Sequence, residues 1–201
     1  MLATGNPHKL EEFENLAQSG EPPLEVISAD AIGGMPAVTE DGESFLENAG
    51  KKARALRIIA PRSLWVLADD SGLCVDALEG SPGVNSAHYA GPKGDSAANL
   101  AKMVEAMREV PAGRRGAHFV CVLVALGPGQ EEKVFEGRCD GRLGFSPLGQ
   151  GGFGYDPIFL PTGYEQSFAR LAPAVKNQIS HRARAWRKLT EYVRALEAGQ
   201  G

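Results

Sequence analysis

Apolar positions change their period several times along the chain, and each change marks an element. Leu10, Phe13, Leu16 and Ala17 recur at helical spacing. Asn6 precedes them as an N-cap, Pro7 fits the first helical position and Gly20 ends the run. A helix therefore follows a short apolar stub, Leu2-Ala3. The stub is short for a core strand, and a few residues upstream of it are expected. Pro22-Pro23 and Gly33-Gly34 mark a loop region around a short predicted strand, Leu24 to Ile27. Ser44-x-x-Glu47 is a capping-box pattern, and Leu46, Ala49, Ala53, Leu56 and Ala60 form one helical stripe behind it, stopped by Pro61. Trp65 to Ala68 reads as a short apolar strand that delivers the chain into a turn, Asp69-Asp70-Ser71-Gly72.

Residues 79–94 are rich in glycine and proline and read as an ordered loop or a linker. Asp95 can cap a helix with Leu100, Met103, Val104 and Met107 on one face. His118 to Leu126 is the strongest strand pattern, and the alternation from Lys133 to Cys139 reads as its hairpin partner. A glycine-rich loop, Gly149 to Gly154, precedes a short strand, Pro157 to Leu160. The last helix is predicted from about Ser180 to Ala198, with Ala183, Trp186, Leu189, Val193 and Leu196 on one face. Helices and strands mix without strict βαβ alternation, which predicts an α/β fold, a mixed sheet with flanking helices. The 201 residues suit one domain over 1–201.

Composition narrows the function classes. With 43% apolar residues and a net charge of −4, global disorder is excluded, and a mildly acidic chain is a poor general binder of nucleic acid. No apolar run is long enough for a membrane-spanning helix. The N-terminus has no basic region followed by an apolar stretch, so a secretory signal is not expected. Cys74, Cys121 and Cys139 are far apart and join no histidine cluster. They read as structural thiols in a reducing, cytoplasmic setting.

Five segments could carry chemistry. Thr4-Gly5-Asn6-Pro7-His8-Lys9 sets a glycine turn and a lysine at a helix start, which suits a phosphate chain through free backbone N–H groups; spacing alone favours the plainer alternative, a capped helix with a surface lysine. Asp69-Asp70-Ser71-Gly72 puts two carboxylates after an apolar strand, where they could hold Mg²⁺; the alternative is an Asp-rich turn. Glu40, Asp41, Glu43 and Glu47 are a possible second source of a metal ligand, or simply acids at a helix start. Gly149 to Asp156 contains G-x-G-x-x-G but runs into Pro157 rather than a helix, against a dinucleotide site. Phe153 and Tyr155 could stack on a base there, with Asp156 on its edge, or serve the core. Lys176, His181 and Arg182 lie at the entry of the last helix, placed for a ligand. Arg184, Arg187 and Lys188 read as its solvated face.

Taken in order, TGNPHK (4–9), ENAGKKA (47–53), ADDSGL (68–73), GSPGVNSAHYAG (80–91), GGFGYDPIF (151–159) and KNQISHRARA (176–185) resemble the inosine triphosphate pyrophosphatase family over almost the whole chain. The resemblance implies an elongated mixed twisted sheet with two lobes around a central cleft, and a homodimer. It implies Mg²⁺-assisted attack of water on the α-phosphorus of ITP, dITP or XTP, releasing pyrophosphate. By position it assigns Thr4, Gly5, Asn6, Pro7, His8 and Lys9 to the phosphates. Asp70 becomes metal ligand and general base, and Ser71 a substrate contact. Phe153, Gly154, Tyr155 and Asp156 fall to the base; Lys176, His181 and Arg182 are the remaining nucleotide contacts. Glu40 matches the second metal carboxylate, although Thr39 stands where relatives often carry an acid, which leaves that register open by one residue. Rival expectations are a pyrophosphatase for modified pyrimidine nucleotides, a nucleic-acid-binding module built on 176–188, and a purely structural protein.

Overall fold

The structure, a computed structural model, describes residues 1–20, 23–129 and 131–198; Pro22 lies outside the described residues. Its elements are β1 (Leu2–Ala3), α1 (Pro7–Gln18), α2 (Phe45–Ile59), β2 (Val66–Val75), α3 (Ser96–Ala106), β3 (Gly116–Leu126), β4 (Glu132–Leu143), β5 (Phe159–Pro161), α4 (Pro173–Ile179) and α5 (His181–Ala198). The strands form one open sheet in the order β1-β2-β3-β4-β5. β1 runs parallel to β2, with Leu2 opposite Leu67 and Ala3 opposite Ala68, and β4 runs antiparallel to β5, so the sheet is mixed. No described helix is long and apolar enough to cross a membrane.

The chain forms two compact units. The first comprises Met1–Asp70, Cys121–Gly137 and Arg182–Gly201; the second comprises Ser71–Val120 and Arg138–His181. In the first unit β1, β2 and β3 are covered on both faces. Leu2, Leu67, Cys121, Leu123 and Ala125 pack with Phe13 and Leu16 of α1 and with Ala183, Trp186 and Leu189 of α5. The alternate residues, Ala3, Val66, Ala68, Val124 and Leu126, pack with Ala49, Ala53 and Leu56 of α2. The period-2 alternation of a strand sorts the two sets.

Among the described residues the second unit has one core, in which Leu73, Val75, Ala117, Phe119, Cys139 and Leu143 meet Met103 of α3, Met107 at its C-cap and the buried Tyr155, Ile158, Phe159 and Phe168. Arg115 ties its ends together. The buried guanidinium donates to the carbonyls of Met107, Val110, Leu143 and Gly144 at 2.6–2.9 Å.

Several expectations change. Asp69 to Gly72 is not a turn; β2 runs through it, because cationic side chains satisfy both aspartates and the ladder need not break. Leu24 to Ile27 forms no strand. β1 offers only two residues, and the contact reduces to the Leu2 N–H donating to Ile27 O at 2.9 Å and a bridge to Ser28. The strand expected at Pro157 starts two residues later, at Phe159. A short helix, α4, precedes α5 and was not anticipated; Pro173 stands at its first turn. Leu46 is 46% exposed rather than part of the α2 stripe. Residues 79–94 are an ordered loop. Ser86 Oγ accepts from Leu73 N–H at 2.9 Å, and the Asn99 side chain grips Ala87 O and Ala90 N–H.

Candidate functional site

In the first unit, two consecutive buried aspartates on β2 face opposite layers. Asp69 belongs to the odd-numbered face that packs on α1 and α5. Its carboxylate, fully buried, lies 3.1 Å from Lys9 Nζ and 3.6 Å from Arg182 Nε. Arg182 in turn donates to Glu12 at 2.8 Å. Burial alone would raise Asp69, but the charges of Lys9, Arg182 and Lys52 outweigh it and hold the carboxyl well below the usual carboxylate range.

Asp70 belongs to the even-numbered face that packs on α2. Lys52 Nζ donates to Asp70 Oδ1 at 2.9 Å and to Glu40 Oε2 at 2.8 Å. Burial pushes the Asp70 carboxyl up to about 6, against the pull of Lys52 and Lys9. Burial would also raise Glu40, and there the hydrogen bond and charge of Lys52 win and lower it. Asp41, the other candidate for the second metal ligand, pairs instead with Lys51 and is 70% exposed.

The Thr4–Lys9 turn is built as an N-cap. Asn6 Oδ1 accepts from the N–H groups of His8 at 3.0 Å and Lys9 at 3.3 Å, and Thr4 Oγ1 accepts from Asn6 N–H. The first-turn N–H groups expected to be free for phosphate are therefore occupied from within. What the turn retains for an anion is the positive end of α1 and the Lys9 ammonium. Gly5, Pro7 and His8 are exposed.

The donor set fits a hard divalent cation. Asp70 Oδ2 is buried and has no hydrogen-bond partner among the described residues. Four carboxylates (Glu12, Glu40, Asp69, Asp70) face three cations (Lys9, Lys52, Arg182), which leaves a deficit of positive charge. Among the described residues no group of three or more His, Cys, Asp or Glu is gathered around one point. That suits an ion which takes one or two carboxylates and fills its shell with water and phosphate oxygens.

In the second unit, Asp156 Oδ2 accepts from Lys176 Nζ at 2.7 Å and from Phe153 N–H at 2.9 Å, all but sealed from solvent. The ammonium also lies 5.6 Å from the Phe153 ring centre and 5.7 Å from that of Phe168. The loop is shaped around this pair: Gly152 has φ +67°, and a Cβ there would run into the Asp156 carboxylate. Phe153 and Gly154 are half-buried. Tyr155 is buried, its hydroxyl donating to Ser86 O at 2.9 Å, so its ring serves the core and its oxygen the 79–94 loop. His181 is buried and stacks on Phe119, centroids 4.7 Å apart at 10°. Ser71 is half-buried on β2.

Lys52, Asp69 and Glu12 were not singled out as individual site residues. Lys52 had a signal: it stands three residues after Ala49 and four before Leu56, a lysine on the apolar stripe of its helix. Asp69 could have been separated from Asp70 by reading ADDSGL as a strand, since consecutive strand residues face opposite layers. Glu12, one acid among several on α1, carries no such mark.

An open mixed sheet with flanking helices places the chain in the α/β class. A family model described as the Ham1 family matches residues 1–192. The chain is 55% identical over 197 residues to a dITP/XTP pyrophosphatase of Opitutus terrae, covering 96% of this chain and 97% of that protein. It is 45% identical over 202 residues to one of Geobacillus kaustophilus, covering 100% and 97%. Among solved structures it resembles a HAM1 protein from Coxiella burnetii (TM-score 0.83, 35% identity, 96% and 97% covered) and the Staphylococcus aureus Ham1 protein (TM-score 0.82, 36% identity, 96% and 97% covered). The chain belongs to the Ham1 family.

Proposed function

We propose that the protein hydrolyses dITP, XTP and ITP to the monophosphate and pyrophosphate with Mg²⁺, removing them from the nucleotide pool of the cytoplasm. The relatives bearing the name dITP/XTP pyrophosphatase match over nearly their whole length, which supports the substrate class. The observation that carries the chemistry is Asp70, anchored at Oδ1 by Lys52, with a buried Oδ2 that has no hydrogen-bond partner among the described residues. A carboxyl raised to about 6 is matched to accepting a proton from water near neutral pH, the water that attacks the α-phosphorus. Lys9, with the positive end of α1, binds the triphosphate and neutralises the charge that grows on departing pyrophosphate; Lys52 and Arg182 add their field. Asp70 and Glu40 would hold Mg²⁺, which when bound supplies further charge neutralisation.

The base falls to the second unit. Phe153 offers a half-buried ring for stacking, and the loop held by Asp156 and Lys176 with the nearby His181 reads the base edge. Hypoxanthine and xanthine present O6 as an acceptor beside N1–H. Adenine reverses both, and each unmatched buried group costs about 1–3 kcal/mol. ITP or XTP should therefore be preferred over ATP at least about a hundredfold in kcat/KM. A homodimer completes the reading, and light scattering tests it.

The test is metal-dependent pyrophosphate release across ITP, XTP, dITP, GTP and ATP. Turnover of ITP, XTP and dITP well above that of ATP is expected. Equal use of ATP, or release of orthophosphate alone, overturns the proposal.

A further inference from the structure

Asp69 has no place in the chemistry above, yet it is the most completely buried carboxylate of the network, with none of its side chain exposed. A buried carboxylate persists only where dedicated partners hold it. Its partners form a graded chain. Glu12 fixes Arg182 at 2.8 Å, and the Arg182 side chain is 6% exposed. Arg182 lies on one side of the Asp69 carboxylate at 3.6 Å, and Lys9 on the other at 3.1 Å. Lys9, 15% exposed, is the cation of the three that solvent reaches most, counting Lys52 at 9%. A lysine has four rotatable bonds whose rotamer freedom is lost on meeting a phosphate. A fixed carboxylate beneath it removes that freedom in advance. Strand alternation also separates Asp69 from Asp70: the first faces α1 and α5, the second α2.

We infer that Asp69 is a positioning residue for Lys9, held by the Glu12–Arg182 pair, and that it takes no part in metal binding. The inference rests on the reading of Lys9 as a triphosphate contact.

The experiment is a double-variant cycle on the full chain, using Asp69→Asn, Lys9→Met and the pair. The first readout is calorimetric binding of inorganic tripolyphosphate without metal; the second is the Mg²⁺ concentration for half-maximal ITP turnover. Lys9→Met should weaken tripolyphosphate at least about tenfold in the parent, the loss of one charged hydrogen bond. In the Asp69→Asn background the same change should cost less than about threefold, since coupled neighbours are not additive. Asp69→Asn should leave the Mg²⁺ requirement unchanged. If Asp69→Asn alone fails to fold, the doubly substituted chain, which buries no unpaired charge, is compared with Lys9→Met. Equal tripolyphosphate affinity supports the inference, and a further tenfold loss overturns it. Additive losses in the cycle, or a raised Mg²⁺ requirement in Asp69→Asn, overturn it as well. Unchanged tripolyphosphate binding in Lys9→Met overturns instead the phosphate role of Lys9 on which it stands.

Discussion

The two units treat the same kind of residue in opposite ways. In the first, helices cover both faces of β2, so a polar side chain there is largely screened from water whichever way it points. Asp69 and Asp70 are consequently buried, and each requires a cation delivered by the helix on its side. In the second unit only one face is covered. Asp76, Arg138, Asp140 and Arg142 stand exposed on the strands or at their ends, and their pairing is loose: Arg138 and Asp140 meet at 2.7 Å with about half of each side chain in solvent. The polar chemistry of this unit comes from a loop and a short helix, through Asp156 and Lys176. A charged residue in a strand thus carries a functional meaning where both faces are closed and little where one is open.

The largest test of this contrast is Asp70→Asn. It should preserve the fold and lower ITP turnover about 10²–10⁴-fold, the usual weight of a general base; near-normal pyrophosphate release would remove Asp70 from the chemistry. Lys52→Met comes next. It strands the buried Asp70 carboxylate on a covered face and should cost about 3–5 kcal/mol in urea unfolding. Phe153→Ala should raise KM for ITP by the worth of one stacked base, about 1–3 kcal/mol, without changing the affinity for inorganic tripolyphosphate. A parallel loss of tripolyphosphate binding would show that the loop does more than hold the base. Smallest is Arg138→Ala on the open face, expected to change unfolding free energy by less than about 0.5 kcal/mol; a larger loss would show that this face is closed by something.

Much of the architecture was legible because single-faced helices write their period plainly. Asn6, Ser44 and Asp95 all cap the helices they were expected to cap. β3 and β4 appear where the apolar pattern placed them, β3 extended at its start and β4 at both ends. The misreadings cluster where tertiary partners overrule local preference. Asp-Asp-Ser-Gly is favourable turn sequence, and only Lys9, Lys52 and Arg182, distant in the chain, make it tolerable as strand. Leu24 to Ile27 has strand composition but found a two-residue neighbour. Tyr155 and Phe153 look alike in sequence. One is fixed by Ser86, 69 residues away, and the other stays half-buried. Motif order located the site residues; the helix that supplies each counter-charge was visible only in three dimensions.

Because two adjacent aspartates in β2 serve opposite helical layers, the alignment of that strand acts as a reading frame. Leu2 opposite Leu67 sets it. A deletion of one residue between Pro61 and Ala68 that shifted β2 by one position would bring Asp70 to the place of Asp69 beside Lys9, Ser71 to the place of Asp70 beside Lys52, and Asp69 to the place of Ala68 in the α2 core. It would also turn Val66 and Ala68 out of the α2 core. Lys52 would then face a serine, and the Asp69 carboxylate would be buried among Ala49, Ala53 and Leu56, so one lost residue would undo both acid–cation pairings at once. Length in the connection from α2 to β2 is therefore constrained as tightly as any side chain it leads to, even though that connection touches no ligand.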